Sequence, residues 1–383
     1  MLDFLSRNGV MRIKGGESEA MKIREIQIGK VSIPLKKPFK TALRQVNSAE
    51  DIIIKVVTDT GEIGYGNAPP TAVITGDSQD SIVGAIRYTI GPKLIGMDVD
   101  NLEGIMTAID TAMLNNSSAK AALDIAVYDL FGKLHGIPLY KLFGGYSNTM
   151  VTDLTISVNE PEEMVRDSQE AVAAGYRALK LKVGTDAALD IQRVKAIRAA
   201  VGYDIDIRLD ANQGWTPKEA VRTIRKFEDL GLGIELIEQP VKAHDFEGLK
   251  FVTNHVETDI MADESAFGPY EVFQLLAMSA CDLINIKVMK AGGLHNALRI
   301  ASFAETVGMQ CMMGCMLESK VGITAAASIA GGKRIITRAD LDAAVLLAED
   351  PVIGGISYDK NQLIISDAPG LGISDIKGWE EIR

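Results

Sequence analysis

The sequence has few of the residues on which several classes of protein depend. It has 3 cysteines in 383 residues, an odd number without the paired spacing of a zinc site or a disulfide framework. No cluster of Lys and Arg stands out and the net charge is −11, which argues against a nucleic-acid-binding surface. No apolar run approaches the roughly 20 residues that span a bilayer. These absences favour a cytoplasmic protein, without a membrane partner, that acts on a small organic molecule.

The composition is that of a globular protein, with 47% hydrophobic residues, 24% charged residues and 36 glycines. A chain of this length suits a large α/β barrel with an accessory domain, or two medium domains. Residues 1–20 have no apolar signal core and no helical stripe, and a second start-like methionine, Met21, follows them. We therefore set residues 1–20 apart as an N-terminal extension that is disordered or was added in cloning.

Residues 21–148 combine two hydrophobic periods. Alternating apolar residues predict strands over 23–35 and 51–66, joined by a loop over 36–50. Apolar residues at helical spacing follow in 81–96 and 119–136. The first part of the chain is therefore predicted to be an α+β capping domain.

From residue 149 to about 350, short apolar runs alternate with longer helical stretches, as in successive βα units of a parallel sheet. The eight runs are VTDLTISV, ALKLKV, IDIRLD, GIELIEQ, DIMADE, DLINIKV, QCMMGC and RIITRADLD. Eight runs predict a closed (β/α)₈ barrel, whose active site forms at the C-terminal ends of the strands. Residues 351–383 return to strand and turn character and are predicted to pack back on the cap.

Charged residues stand at the ends of five consecutive runs: Lys182, Asp210, Glu238, Asp263 and Lys287. The intervals of 24 to 28 residues each match one βα unit, so the five side chains should converge on one barrel mouth. Three carboxylates held close together need a compensating cation, and hard oxygen ligands favour Mg²⁺. Any one of the acids alone is more often a helix cap, but three on consecutive units favour a metal site.

The lysines of the predicted site suit proton transfer. Lys180 and Lys182 are two residues apart on one strand and should point to the same face. A neighbouring ammonium group and a divalent cation both lower a lysine pKa, which would make Lys182 a usable base. Lys287 is four strands further on, and two lysines flanking one carbon are what a two-base proton transfer requires.

The motifs ALKLKVG, RLDANQGW, IEQP, MADES and NIKVMKAGG resemble, in order and spacing, the enolase superfamily and its muconate-lactonizing subgroup. The resemblance implies a cap on a modified (β/α)₇β barrel, one Mg²⁺ per active site and an enediolate intermediate. Members of this superfamily use a lysine or histidine base together with Mg²⁺. It also implies Asp210, Glu238 and Asp263 as metal ligands and Lys182 and Lys287 as the acid/base pair. Lys180 is implied to assist the first base and to contact the substrate carboxylate.

Within the subgroup, the last strand carries the discriminating signal. Asp340 and Asp342 share one face under the strand period, and a pair of carboxylates suits an ammonium ion. Their D-x-D pattern resembles that of dipeptide epimerases, in which it holds the free α-amino group, although an Asp pair that caps a loop or helix is the alternative.

The cap sequences KPFKTALRQV and APPTAVITGDS resemble the L-Ala-D/L-Glu branch of that family, whose activity belongs to murein peptide metabolism. In that branch Arg44 could read a substrate carboxylate in bidentate geometry. Thr155, Cys315 and Leu317 match the positions that line the family's substrate site.

The sequence therefore predicts an isomerase that epimerises dipeptides and whose partner is the dipeptide itself, and it allows a homo-oligomer. A lyase or racemase of the same subgroup is the main alternative: an o-succinylbenzoate synthase, a cycloisomerase or an N-acylamino acid racemase. A peptide-binding protein without catalysis is a second alternative. The intact set of predicted ligands and lysines disfavours it, since binding alone does not need them.

Overall fold

The computed structural model describes residues 20–42 and 44–383, so all but one residue of the predicted N-terminal extension lies outside the described chain. The strands are β1 (Ile23–Lys40), β2 (Gln45–Thr58), β3 (Ile63–Ala68), β4 (Thr149–Val151), β5 (Leu154–Ile156), β6 (Ala178–Lys182), β7 (Asp206–Asp210), β8 (Ile234–Glu238), β9 (Asp259–Ala262), β10 (Leu283–Lys287), β11 (Cys311–Gly314), β12 (Ile336–Asp340), β13 (Val352–Gly354), β14 (Ser357–Asp359), β15 (Gln362–Ile364), β16 (Ile373–Ile376) and β17 (Glu380–Glu381).

The α-helices are α1 (Gln79–Gly84), α2 (Gly91–Leu94), α3 (Leu102–Asp110), α4 (Ser117–Leu134), α5 (Leu139–Leu142), α6 (Pro161–Ala173), α7 (Ala187–Val201), α8 (Pro217–Asp229), α9 (Phe246–Thr253), α10 (Pro269–Met278), α11 (Val288–Ala291), α12 (Leu294–Val307), α13 (Lys320–Gly332) and α14 (Ala343–Leu346). A π-helical segment, Ala85–Ile90, joins α1 to α2. None of the described helices is both long and apolar enough to cross a bilayer.

The first part of the chain forms an antiparallel sheet in the order β17, β1, β2, β3. Residues 52–54, three isoleucines of β2, are fully buried, so both faces of this central strand are covered. Helix α4 packs closely on β3 because Gly66 has no side chain: a Cβ there would lie 1.9 Å from the carbonyl oxygen of Ala122. This layer of helix on sheet has the predicted α+β character.

The prediction of a loop over residues 36–50 is wrong. Strand β1 continues to Lys40 and β2 begins at Gln45, and these two residues are paired in the sheet. The register shifts between Pro34 and Phe39, where Pro38 has no N–H to donate to the ladder. That irregularity, with the charged residues around it, interrupts the alternation by which a strand is predicted.

The second sheet has eight parallel strands in the order β5 to β12, and each lies within one of the eight predicted runs. A parallel bridge between Thr152 and Ala339 joins the first strand to the last and closes the barrel. Helices α6 to α13 lie between successive strands, whereas β12 is followed only by the four-residue helix α14. The predicted (β/α)₇β barrel with an α+β cap is thereby confirmed.

The end of the chain forms short strands that contact both parts. Strands β14 and β15 extend β4, and β17 pairs with β1. The carboxylate of Asp129 on α4 accepts a hydrogen bond from the N–H of Leu371 at 2.7 Å. The predicted domain boundaries at residues 20, 148 and 350 stay predictions.

Candidate active site

Charged side chains end the barrel strands at one rim. In the sheet register Lys182 pairs with Asp210, and Asp210 pairs with Glu238, so these three lie at one level on β6, β7 and β8. Asp263 directly follows β9, and Lys287 is the last residue of β10. Parallel strands end at the same edge, so the structure brings all five to one mouth of the barrel.

A cavity opens at this mouth. The carboxylates of Asp210, Glu238 and Asp263 are buried beside it, each no more than 1% exposed. The cavity is lined by Arg44, Thr155, Lys180, Lys182, Lys287, Cys315, Leu317, Asp340 and Asp342, and further by Phe39, Thr41, Val73, Ile74, Asn212, Met316, Ala343 and Leu346. Every predicted acid/base and substrate-binding residue therefore faces this one space.

Asp210 and Glu238, two of the three deep carboxylates, have pKa values that are shifted in opposite directions. Burial alone would raise the pKa of Asp210, but the ammonium groups of Lys182 and Lys180, 2.6 and 3.1 Å from its Oδ2, lower it to about 2. The pKa of Glu238 is raised to about 8, chiefly by burial and then by the charge of Asp210. Asn285 donates to its Oε1 at 2.8 Å. Glu238 is the one of the three deep carboxylates whose pKa is raised, although the Nζ of Lys180 lies 2.7 Å from its Oε2.

Asp263 lies between two lysines. Its Oδ2 is 2.7 Å from the Nζ of Lys287 and its Oδ1 is 2.6 Å from the Nζ of Lys290, which also contacts the Asp263 carbonyl oxygen. These ammonium groups outweigh burial and lower the pKa of Asp263. Burial would lower the pKa of Lys287, but the negative charge of Asp263 outweighs burial and raises it. Lys287 accordingly carries a proton while it contacts Asp263.

Lys180 is the cation at the centre of the cluster and is 1% exposed. Its Nζ lies 2.7 Å from Asp340 Oδ2, 2.7 Å from Glu238 Oε2 and 3.1 Å from Asp210 Oδ2. Burial disfavours its charge, but Asp340 and the other carboxylates raise its pKa well above the usual value. Lys180 therefore stays charged and joins the deep carboxylates to the last strand.

Asp340 and Asp342, the two acids of the D-x-D pattern, accept hydrogen bonds from different partners. Asp340 ends β12 and accepts from Lys180, whereas Asp342 lies two residues on, at the start of α14. The Oδ2 of Asp342 accepts from the backbone N–H of Thr155 at 2.7 Å. Burial, followed by the charge of Asp340, raises the pKa of Asp342 to about 6. Both residues are at most 5% exposed and line the cavity.

Cys315 and Leu317 follow β11 on a segment that is tied to the cap. Glu318 accepts from the N–H of Met316 at 2.9 Å through Oε1 and from the amide of Asn67 on β3 at 2.9 Å through Oε2. Burial raises the pKa of Glu318 to about 8. This connection holds the segment between barrel and cap.

Arg44 reaches the cavity from the connection between β1 and β2. Its backbone N–H donates to the hydroxyl of Thr41 at 3.3 Å, and burial lowers the pKa of its guanidinium. Over residues 20–42 and 44–383 no carboxylate forms an ion pair with it. Arg44 thus lines the cavity with no carboxylate paired to it in the described part of the chain.

The deep residues fit a divalent cation by their chemistry. Three buried carboxylates on adjacent strands supply the hard, anionic oxygens that Mg²⁺ prefers. Within the described chain, Glu238 Oε2, Glu264 Oε2 and Asn212 Oδ1 are buried acceptors without a hydrogen-bond donor of suitable geometry, although Lys180 lies close to the first. The three carboxylates of Asp210, Glu238 and Asp263 each contact a lysine. Among the described residues, no three side chains of Asp, Glu, His or Cys lie close enough together to hold a metal ion.

Several residues of the cluster were not predicted, although the sequence carried a signal for three of them. Asn285 is two residues before Lys287 on one strand, Asn212 is two after Asp210, and Lys290 is three after Lys287. Asn212 lines the cavity, and the other two contact predicted metal ligands. The period of 2 along β10 would have placed Asn285 beside Lys287.

Comparison with known families agrees with the fold and the arrangement at the barrel mouth. Residues 23–144 match the N-terminal domain of the mandelate racemase/muconate lactonizing enzyme family, and residues 163–375 match the enolase C-terminal domain-like family. The chain therefore belongs to the enolase superfamily, in its mandelate racemase/muconate lactonizing enzyme family, and the predicted superfamily is confirmed.

Its relatives include dipeptide epimerases, which are isomerases acting on amino-acid derivatives. The chain is 54% identical to an L-Ala-D/L-Glu epimerase from Clostridium acetobutylicum, over 93% of this chain and 99% of that one. A substrate-liganded L-Ala-D/L-Glu epimerase from Bacillus subtilis has a TM-score of 0.92 at 50% identity, over 93% and 99% of the chains. A dipeptide epimerase from Enterococcus faecalis, complexed with Mg and L-Leu-L-Tyr, has a TM-score of 0.90 at 46% identity, over 93% and 100%.

Proposed function

We propose that this protein is a magnesium-dependent dipeptide epimerase that inverts the α-carbon of the C-terminal residue by two-lysine proton transfer. The observation that carries the proposal is the position of Lys182 and Lys287. They end β6 and β10, four strands apart in an eight-stranded barrel, so they lie on opposite sides of the mouth. Both line one cavity and both contact a deep carboxylate. A carbon held between them can lose a proton on one face and gain one on the other.

Asp210, Glu238 and Asp263 would hold Mg²⁺, which when bound supplies positive charge to stabilise the anion that develops at the substrate's carboxylate. Removal of the α-proton makes that carbon planar, so the face that receives the new proton decides the configuration. Each lysine would remove the α-proton of the epimer whose α-proton points towards its own strand, and the other lysine, in its protonated form, would supply a proton to the opposite face. In the reverse direction the two lysines exchange roles.

The substrate class follows from the charges around the cavity. The paired carboxylates of Asp340 and Asp342 suit the ammonium group of a free dipeptide, and the backbone N–H of Thr155 fixes one of them. The Arg44 guanidinium suits a second carboxylate, which favours a C-terminal Glu. The names of the relatives at 54% and 50% identity, both L-Ala-D/L-Glu epimerases, support this substrate.

Incubation of a panel of L,L-dipeptides in deuterated water tests the proposal. We expect a mass gain of one in Xaa-Glu substrates, together with the appearance of the L,D epimer on chiral separation. N-succinylated amino acids serve as the comparison, because they lack the ammonium group. Exchange into N-succinylated amino acids but not into dipeptides would instead identify a racemase or lyase of the same subgroup.

A further inference from the structure

A loop of the cap forms one wall of the active-site cavity. Residues 69–78 connect β3 to α1, and Val73 and Ile74 in this loop line the cavity. Val73 is 49% exposed, so packing against the rest of the protein holds it only in part. Contacts elsewhere in the loop must therefore help to hold this wall in place.

Hydrogen bonds within the loop set its shape. The N–H groups of Ile74 and Thr75 donate to the carbonyl oxygen of Thr71 at 3.0 and 2.9 Å, which closes a turn at the tip. The N–H of Asp77 donates to the hydroxyl of Thr75 at 3.3 Å. Gly76, between these two residues, has a φ of +79°, a left-handed conformation that favours glycine. These bonds shape the loop, but they do not attach it to the rest of the cap.

The side chain of Asp77 attaches the loop to helix α4. Its Oδ2 accepts from the backbone N–H of Ser118, in the first turn of the helix, at 3.0 Å. Asn116, at the N-cap position of α4, has a φ of 50° and its side chain makes no capping hydrogen bond. Asp77 is 3% exposed, and a carboxylate at a helix N-terminus is favoured by the helix dipole as well as by the hydrogen bond. Asp77 therefore supplies, from another segment, the cap that Asn116 does not provide.

Helix α4 also supports other parts of the site. Strand β3, which precedes the loop, packs against α4 so closely that a Cβ at Gly64 would lie 2.1 Å from the carbonyl oxygen of Ala126. Asp124 on α4 accepts from the N–H of Leu294 at 2.6 Å, at the start of α12, the second helix after Lys287. One helix thus contacts the start of the cap loop, its end and the barrel segment that follows Lys287.

We propose that Asp77 is a positioning residue for substrate binding: by capping α4, it holds Val73 and Ile74 at the cavity before the dipeptide binds. Asp77 does not line the cavity, so it acts through the loop and is not expected to touch the substrate. The role rests on the proposed epimerase function for its substrate, a dipeptide, but it has no part in the proton transfer. Its effect should therefore fall on KM and not on kcat.

Two substitutions at Asp77 separate the cap from the volume of the side chain. Asp77→Ala removes the acceptor, and the loss of one helix cap should raise KM for a dipeptide about fivefold, with kcat within about twofold of the parent. Asp77→Asn keeps an acceptor on a side chain of the same size, so its KM should be within about twofold of the parent.

Asp245→Ala is the matched control. Asp245 likewise caps a helix, α9, where it accepts from the N–H of Gly248 at 2.8 Å, but the loop that it ends contributes no residue to the cavity. The control should leave KM within about twofold of the parent. A folded Asp77→Ala variant with the KM of the parent, or a raised KM that Asp77→Asn shows equally, would overturn the proposal.

A variant cycle tests whether Asp77 acts through the cavity wall. Val73→Ala/Ile74→Ala cuts the wall back, so Asp77→Ala added to this pair should raise KM less than about twofold further. The same increase of about fivefold in both backgrounds would show that Asp77 acts elsewhere and would overturn the proposal.

Hydrogen exchange measured by mass spectrometry needs no turnover, so it distinguishes failure of this proposal from failure of the proposed function. Without ligand, peptides that span residues 70–79 should exchange about fivefold faster in Asp77→Ala than in the parent, and equal rates would overturn the proposal. If Asp77→Ala does not fold, the parent decides: these peptides should exchange equally slowly with and without Ala-Glu, whereas protection that appears only with Ala-Glu overturns the proposal. A parent that epimerises no dipeptide would count against the proposed function, and exchange in Asp77→Ala would still decide whether Asp77 holds the loop.

Discussion

Replacing Asp342 by Asn should make the enzyme less active and more stable. The amide keeps the size of the side chain and can still accept from the N–H of Thr155, so the local backbone should be retained. It removes the charge that we propose holds the substrate's ammonium group. A charge-assisted hydrogen bond contributes about 1.5 to 3 kcal/mol, so kcat/KM for a free dipeptide should fall roughly 10- to 150-fold, mainly through KM.

The stability change follows from the pKa of Asp342. Burial and Asp340 raise it from 3.8 to about 6, so the folded protein binds this proton more tightly than the unfolded chain does. The resulting stabilisation is present at low pH and is lost as the pH rises through about 6. At neutral pH the ionised carboxylate therefore costs the fold on the order of 3 kcal/mol. The Asn variant avoids this cost, so its Tm at pH 7.5 should exceed that of the parent.

The same pKa predicts a pH profile. A protonated Asp342 cannot pair with an ammonium ion, so kcat/KM of the parent should fall about tenfold per pH unit below about pH 6. The Asn variant should lack this limb of the profile. Asp59→Asn is the matched control, because Asp59 also accepts from a backbone N–H but lies exposed on the cap.

Steady-state kinetics on free and N-acetylated dipeptides, with thermal melts at several pH values, would check these expectations. N-acetylation erases the ammonium group, so the acetylated dipeptide should be a poor substrate for the parent, and the Asn substitution should change its turnover little. Equal turnover of both dipeptides by the parent would refute the ammonium site. A variant with unchanged kcat/KM and unchanged Tm would refute the charge argument.

Two further predictions concern the metal and the cap. Exhaustive chelation should abolish turnover but leave the circular dichroism spectrum and the fold intact. The fold should persist because Lys180 and Lys287 still compensate the charges of Glu238 and Asp263. Full activity after chelation would show that the metal takes no part in the mechanism. Arg44→Gln should lower kcat/KM for Xaa-Glu by about 10-fold to 100-fold and change that for Xaa-Gln little, since the guanidinium is proposed to read only the side-chain carboxylate. Equal losses on both substrates would assign Arg44 another role.

The barrel and the residues at its strand ends were open to prediction because they obey simple periods. Each strand contributes one short apolar run, and Asp210 and Glu238 end their runs as the mouth of a barrel requires. The cap was less accessible. Residues 36–40 belong to strand β1 despite Pro38 and a register shift, and only the last two of them, Phe39 and Lys40, pair with β2.

Partnerships across the barrel were beyond the sequence pattern. The Arg208–Asp153 pair joins residues 55 positions apart in sequence, and neither position differs locally from a residue that merely flanks an apolar strand. Periodicity indicates which face a side chain occupies, but it does not indicate which charge on another strand faces it. The contacts of Lys180 with Asp210, Glu238 and Asp340 likewise form only because closure of the barrel brings residues of β7, β8 and β12 together around Lys180.

The central claim is that Lys182 and Lys287 serve opposite faces of one α-carbon. Its most direct test follows Lys182→Ala and Lys287→Ala in deuterated water, each with the L,L and the L,D epimer of Ala-Glu, by mass spectrometry and chiral separation. We expect neither variant to epimerise, and we expect each to exchange the α-proton of at most one epimer, with opposite preferences. Normal epimerisation by either variant, or the same preference in both, would contradict the two-lysine mechanism.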